Sequence, residues 1–204
     1  MLQIKSKYKI AKRLGAGIFE QTQTQKFALS EARSKMEKRG GRGGRGGSDF
    51  GRQLLEKQRV RYTYGLSERQ LSNYAQAAME EKDPSTELHR SLEMRADSIL
   101  YRSGFSPSRR AARQALSHGH VKINGIRSNR PSHRLKKGDK MEVRDAARKS
   151  PLYAGLAEKE DKKVPPSWLS ADVNLLAIEV KGEPQYSQME AGLDYPTVFE
   201  FYSR

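Results

Sequence analysis

Asn124-Gly125 stands between two short runs, Val121-Lys122-Ile123 and Ile126-Arg127-Ser128. Nothing else in the chain restricts its path so tightly. A two-residue hairpin loop of type I′ needs positive φ at both central residues, which Asn and Gly tolerate best. The hairpin belongs to a longer pattern over residues 92–143. Leu92, Ala96 and Ile99 fall at i, i+4 and i+7, a stripe that one helix face buries. Gly104 stops that helix. Ser106-Pro107 then supplies an N-cap and a first-turn proline for a second helix, ending near Gly119. Met141-Glu142-Val143 reads as one more strand. The prediction is helix, helix, hairpin, strand, with arginines along both helices.

Charge points the same way. The 204 residues carry a net +15, with 31% charged and only 35% apolar, so any core is small or divided. Residues 1–47 hold 12 Lys/Arg against 3 Asp/Glu, and residues 48–149 hold 22 against 12. Residues 150–204 reverse the balance, with 5 against 9. The first three-quarters of the chain should therefore meet a polyanion, nucleic acid before any membrane surface. Cysteine is absent, which excludes disulfides and thiolate metal sites and suits a reducing compartment. Four scattered histidines do not make a metal site, and no cofactor is expected. No apolar run approaches the roughly 18–20 residues of a membrane span. No secretory h-region opens the chain. A soluble intracellular protein is expected.

Lys5, Lys7, Lys9, Lys12 and Arg13 open the chain, interleaved with Ile4, Tyr8, Ile10 and Leu14. That alternation fits a strand or an arm lying on a partner. Glu20 and the lack of arginine before residue 13 argue against a transit peptide. The run KRGGRGGRGGS over residues 38–48 reads as a flexible joint. Its Arg39, Arg42 and Arg45 could fork onto phosphates of single-stranded RNA, and a solvated linker is the alternative. Ser48-Asp49 caps a helix that Gly65 ends, and Ser67 with Gln70 forms a capping box for the next. A third helix starts at Asp83-Pro84 and is expected to run unbroken into Leu92. Beyond the module, Pro165-Pro166 interrupts regular structure, and Trp168 is expected as a core plug. Leu176, Ile178 and Val180 alternate as a strand with one buried face. Val198, Phe199, Phe201 and Tyr202 make the tail apolar enough to dock.

These residues carry a resemblance. Leu92-Glu93-Met94-Arg95-Ala96-Asp97, Ile99-Leu100-Tyr101-Arg102, Gly104-Phe105, Ser108-Arg109, Ala112-Arg113-Gln114, Ser117-His118-Gly119-His120 and Asn124-Gly125 resemble the small RNA-binding module of the ribosomal protein S-four family. Ser48-Asp49-Phe50-Gly51, Gln53-Leu54, Glu56-Lys57-Gln58-Arg59-Val60-Arg61, Tyr64-Gly65-Leu66 and Asn73-Tyr74 resemble that family's helical segment. So do Trp168-Leu169 and the closing Glu200-Phe201-Tyr202-Ser203-Arg204. Two departures stand out. The glycine-rich joint replaces a Pro-Gly-Gln-His-Gly run, and the cysteines that bind zinc in some members are missing. Ser98 and Ala111 also stand where Asn and Glu are usual.

The resemblance implies an α+β fold. A small helical domain (residues 48–91, on which 198–204 dock) would follow an irregular basic arm (1–47). The helix-helix-hairpin module, extended by an antiparallel sheet, would fill 92–197. It implies a non-enzymatic constituent of the small ribosomal subunit that binds rRNA first, nucleates assembly at a multi-helix junction and contributes to translational accuracy. Its neighbours would be ribosomal protein S-five, other small-subunit proteins and mRNA where it enters the subunit. It would sit in the ribosome as a monomer, in the cytoplasm or an organelle, and away from membranes. The implied RNA face takes Arg52, Lys57, Arg59 and Arg61 from the helical domain. From the module it takes Arg95, Arg102, Arg109, Arg110, Arg113, His118, His120 and Lys122. On continuous helices Arg109 and Arg113 lie one turn apart and Arg95 and Arg102 two, so each pair should share a face. A pseudouridine synthase or a free ribosome-associated chaperone could carry the same module. His133-Arg134-Leu135 resembles the catalytic run of those synthases, but Lys136 stands where the aspartate would be.

Overall fold

The computed structural model describes residues 4, 6–39, 48–150, 152–153, 156 and 164–203. The chain divides into two compact units, Met1–Ser85 with Ser187–Arg204, and Thr86–Tyr186. The fold is α+β, as expected: one unit is helical, and the other packs helices on a five-stranded sheet.

The helical unit begins with α1 (Lys7–Leu14), two 3-10 turns and α2 (Gln25–Arg39). The basic opening is therefore not the irregular or strand-like arm expected from sequence. Ile4, Tyr8 and Ile10 alternate, but the deeply buried positions are Ala11 and Leu14, three apart, while Tyr8 stays largely exposed. Helical spacing wins because one helix face can close on Phe19 and Phe27, whereas a lone strand would leave its backbone unpaired. Tyr62 of the next helix also packs on this cluster. α3 (Asp49–Thr63) and α4 (Glu68–Met79) start as predicted: Ser48 accepts from the Gly51 amide, and Ser67 and Gln70 cap each other reciprocally. The tail forms two helices that close this unit, α9 (Gln188–Ala191) and α10 (Tyr195–Tyr202). Asp194 caps α10, which packs on α3 and α4. Val60, Tyr64, Leu66, Leu71, Ala75, Tyr195 and Val198 are buried there. Each large apolar side chain contributes about 1.5–3 kcal/mol when fully buried.

α5 (Pro84–Glu93) begins at the division between units, and its side chains bond within the second. His89 rests against Tyr186, Arg90 pairs with Glu183, and Glu87 holds Arg134. The units thus part near residue 85, where the sequence pattern put a boundary at 91. α5 runs unbroken into Leu92, as expected, but does not continue along the stripe to Ala96 and Ile99. It ends at Glu93, and α6 (Ala96–Arg102) restarts after Arg95 at φ −71°, ψ 143°. Residues 131–135 cause the break. Pro131 and His133 carbonyls accept from the Asp97 and Ala96 amides, and the Leu135 amide donates to the Met94 carbonyl. These bonds satisfy donors that a helix N-terminus otherwise leaves open. Leu92, Ala96 and Ile99 are all buried, but on two helices.

α7 (Arg109–Ser117) starts two residues later than predicted, with Ser108 as the cap, and Ser106 instead donates to the Ser108 carbonyl. β1 (Val121–Ile123) and β2 (Ile126–Ser128) form the expected hairpin, with Asn124 and Gly125 at φ 50° and 79°. β3 (Lys140–Val143), α8 (Asp145–Arg148), β4 (Leu169–Asp172) and β5 (Ala177–Val180) follow. The antiparallel order is β2-β1-β3-β5-β4, with Val121 opposite Val143 and Met141 opposite Ile178. Those residues, with Leu100, Phe105, Ala112, Leu116 and Leu135, make one core on which Trp168 packs partly buried.

Candidate nucleic-acid interface

Two carboxylates organise the module's arginines. Glu93 ends α5 and Asp97 lies in the first turn of α6, one on each side of the break, with only 1% and 2% of their surface exposed. Asp97 accepts from Arg95 twice, at 2.9 Å to each oxygen. It also accepts from Arg113 through Nε at 3.0 Å and Nη2 at 2.7 Å. Glu93 takes a two-pronged bond from Arg102, 2.8 Å on both prongs, and one from Arg109 at 2.9 Å. The Arg109 guanidinium lies 4.6 Å above the Tyr101 ring. A carboxylate suits the positive N-terminus of α6, whereas Glu93 at a helix C-terminus needs its arginines to be tolerated. The pairing is crosswise to the expectation. Arg102 shares a carboxylate with Arg109, and Arg95 shares one with Arg113.

Exposure sorts the four. The Arg102 side chain is 39% exposed, Arg113 16% and Arg109 15%. Arg95, at 3%, is a structural cation and not the surface ligand expected. It is buried where the chain turns between helices, at an isolated bridge to Arg134. Arg110, beside them on α7, is exposed.

A second group gathers at the C-terminus of α7. Arg127 on β2 donates to the His118 carbonyl at 3.4 Å, and Arg144 donates to the Gly119 carbonyl at 3.1 Å. Cations at these positions complement the helix dipole. His118 is exposed, and its ring meets the His120 ring edge-on at 5.7 Å. Burial, then His118 and Arg144, hold His120 below the ordinary histidine value. Lys122 is half-buried on β1, opposite Arg127 and Glu142 on the sheet face away from the core. Arg127 and Arg144 are not among the residues expected from sequence. Arg127 was detectable as the i+2 neighbour of the hairpin glycine, on the same face as Lys122.

The helical unit uses its cations differently. Lys57 is 6% exposed, bonded to Glu68 at 2.7 Å and seated 4.1 Å over the Phe201 ring. It pins α3, α4 and α10 and is not a surface ligand, because burial against the tail leaves it no access to an external anion. Arg61 donates to the Leu66 carbonyl and Gln58, and Arg59 to Glu56 and the Gly192 carbonyl. Arg52 remains on the surface, paired loosely with exposed Asp49 at 3.3 Å. Arg39 ends α2, while Arg42 and Arg45 lie outside the described residues.

Among the described residues no cluster of three or more potential ligands could hold a metal ion, and no helix is long and apolar enough to cross a membrane. The arrangement can present fixed guanidiniums to an extended anion.

Comparison with known proteins covers both units. A family model described as the S4 domain matches residues 94–140, and one described as the ribosomal protein S4/S9 N-terminal domain matches residues 3–93. The small ribosomal subunit protein uS4 of Chromobacterium violaceum is 37% identical over 204 residues, covering 97% of each chain. That of Syntrophomonas wolfei is 38% identical over 158 residues, 77% of this chain and 76% of the relative. That of Rubrobacter xylanophilus is 37% identical over 166 residues, 80% and 82%. With matches that run through the helical unit and the arginine-bearing module alike, the chain belongs to the uS4 family of small ribosomal subunit proteins.

Proposed function

We propose that this protein is a structural, non-enzymatic constituent of the small ribosomal subunit that binds its rRNA directly and early, nucleating assembly at a multi-helix junction. The observation that carries the reading is the module's cationic surface. Arg102, Arg109 and Arg113 are gripped by carboxylates, and Arg110, Arg127 and His118 are exposed and Lys122 half-buried in the same module, on a chain of net +15. Folded RNA offers phosphates and a wide minor groove that are read by shape and charge, which suits separated fixed cations better than one deep pocket. The arginines of the joint would add a second contact. In the assembled particle the protein would lie as a monomer beside ribosomal protein S-five, close to incoming mRNA, in the cytoplasm.

The test is binding to naked bacterial small-subunit rRNA against an unrelated duplex RNA of similar length. Affinity for the rRNA should be the higher and should fall about 10³-fold or more between ~50 and ~200 mM salt. Equal affinity for the two RNAs would remove the specific claim. Sedimentation separates the chaperone reading, since a constituent stays with small subunits through moderate salt. Turnover of uridine to a modified base would point to an enzyme.

A further inference from the structure

Glu93 and Asp97 pose a problem for a surface that attracts a polyanion. They place two negative charges under four arginines and halve the local positive charge. They are also almost completely buried, 1% and 2% exposed, beneath arginines whose side chains are up to 39% exposed. A site built for attraction alone would do better with two amides.

Their geometry gives another role. Asp97 takes the Nε–Nη2 edges of both Arg95 and Arg113. Glu93 takes the same edge of Arg102, and Arg109 is fixed between Glu93 and the Tyr101 ring. A planar guanidinium gripped along one edge has its opposite edge aimed in a set direction. We propose, resting on the rRNA-binding reading above, that Glu93 and Asp97 are positioning residues for RNA recognition. They touch no RNA and act by fixing the planes of Arg102, Arg109 and Arg113 before binding. Long side chains ordered in advance lose less entropy on binding, and their fixed spacing discriminates one phosphate arrangement from another.

Charge and positioning make opposite predictions. Asp97→Asn and Glu93→Gln each remove a negative charge next to the RNA face. If charge alone matters, both bind every RNA more tightly, as Glu142→Gln, which removes an exposed carboxylate of the sheet face, should. If the carboxylates position the arginines, affinity for small-subunit rRNA falls about tenfold while affinity for unrelated duplex RNA holds or rises. Asp97→Glu, which restores a carboxylate, should recover part of the preference. Should Asp97→Asn fail to fold, Arg113→Lys keeps both the charge and a partner for Asp97 but loses the fork. It should weaken rRNA binding several-fold with an unchanged salt slope. The inference is overturned if the folded Asp97→Asn and Glu93→Gln variants match or exceed the wild-type preference for rRNA, or if Arg113→Lys binds as wild type does. Wild-type protein that shows no preference at all overturns the rRNA-binding reading itself, a result the same titrations separate from the other two.

Discussion

The two units carry cations of the same type and use them in opposite ways. In the helical unit Lys57, Arg59 and Arg61 are engaged by the chain itself. Lys57 ties Glu68 and Phe201 together, Arg59 reaches the Gly192 carbonyl, and Arg61 closes the turn at Leu66. In the module Arg102, Arg109 and Arg113 are held by carboxylates that are themselves 1–3% exposed, whereas Arg59 and Arg61, 35% and 21% exposed, pair with the more open Glu56 and Glu68. What separates a structural cation from a recognition cation is where its partner sits. The number of arginines on a helix does not make that distinction.

The comparison is broken most forcefully by removing a buried carboxylate. Asp97→Ala leaves Arg95, 3% exposed, without its two-pronged partner. Denaturant unfolding should register a loss of about 3–5 kcal/mol. Glu56→Ala, which strips Arg59 of a partner in the helical unit, should register under about 1 kcal/mol, since Arg59 can turn toward water. Equal losses would mean that the two sets of ion pairs do the same job.

Glu68→Gln is the next largest. It weakens the bonds that Lys57 and Tyr202 make to Glu68, at 2.7 Å and 3.0 Å. Burial, and then Glu68 itself, hold the Tyr202 phenol above its ordinary value, in keeping with its hydroxyl donating to Glu68. About 1–3 kcal/mol of stability should go, with rRNA affinity preserved in the folded protein. A clear drop in affinity would give the helical unit a larger share of recognition.

Gly119→Ala sharpens the module side. Gly119 sits at φ +69°, and a Cβ there would overlap the Arg127 guanidinium. The strained backbone should cost about 1–2 kcal/mol, and displacing Arg127 should weaken rRNA binding. Wild-type affinity in this variant would take Arg127 out of the interface.

The smallest effect is one of pH. Burial holds His89 below the ordinary value of 6.5, against the opposing pull of Glu93. The unfolded chain therefore binds the proton first, and stability falls as pH drops below about 6.5, levelling off once the folded histidine titrates. His89→Gln should flatten that segment of a stability–pH curve. An unchanged slope would mean that another group titrates there.

Local geometry was legible in sequence wherever a residue type has one physical reason to be present. Asn124-Gly125 needed positive φ, and Ser48 and Ser67 needed open amides to cap. Each was found where expected. Three features escaped. The break at Arg95 is made by residues 131–135, nearly forty positions away, so the continuous stripe of Leu92, Ala96 and Ile99 concealed it. α1 was hidden because Ile4, Tyr8 and Ile10 fit a period of two while Ala11 and Leu14 fit a helix, and only packing decides between them. The burial of Lys57 and Arg95 was illegible because a cation reads as surface until its partner is seen, and Glu68 and Asp97 become partners only in the fold. The candidate site was therefore readable as a set of arginines. It was not readable as two carboxylates with arginines arranged around them.

The most direct test of the central claim compares salt slopes for small-subunit rRNA binding. Wild type would be measured beside an Arg102→Gln/Arg113→Gln double variant and a Lys57→Met variant, each confirmed to be folded. Removing two recognition cations should lower the slope of log affinity against log salt by about two units. Removing the buried lysine should leave it unchanged. A slope that falls with Lys57→Met, or that holds in the double variant, would contradict the division of labour between the two units.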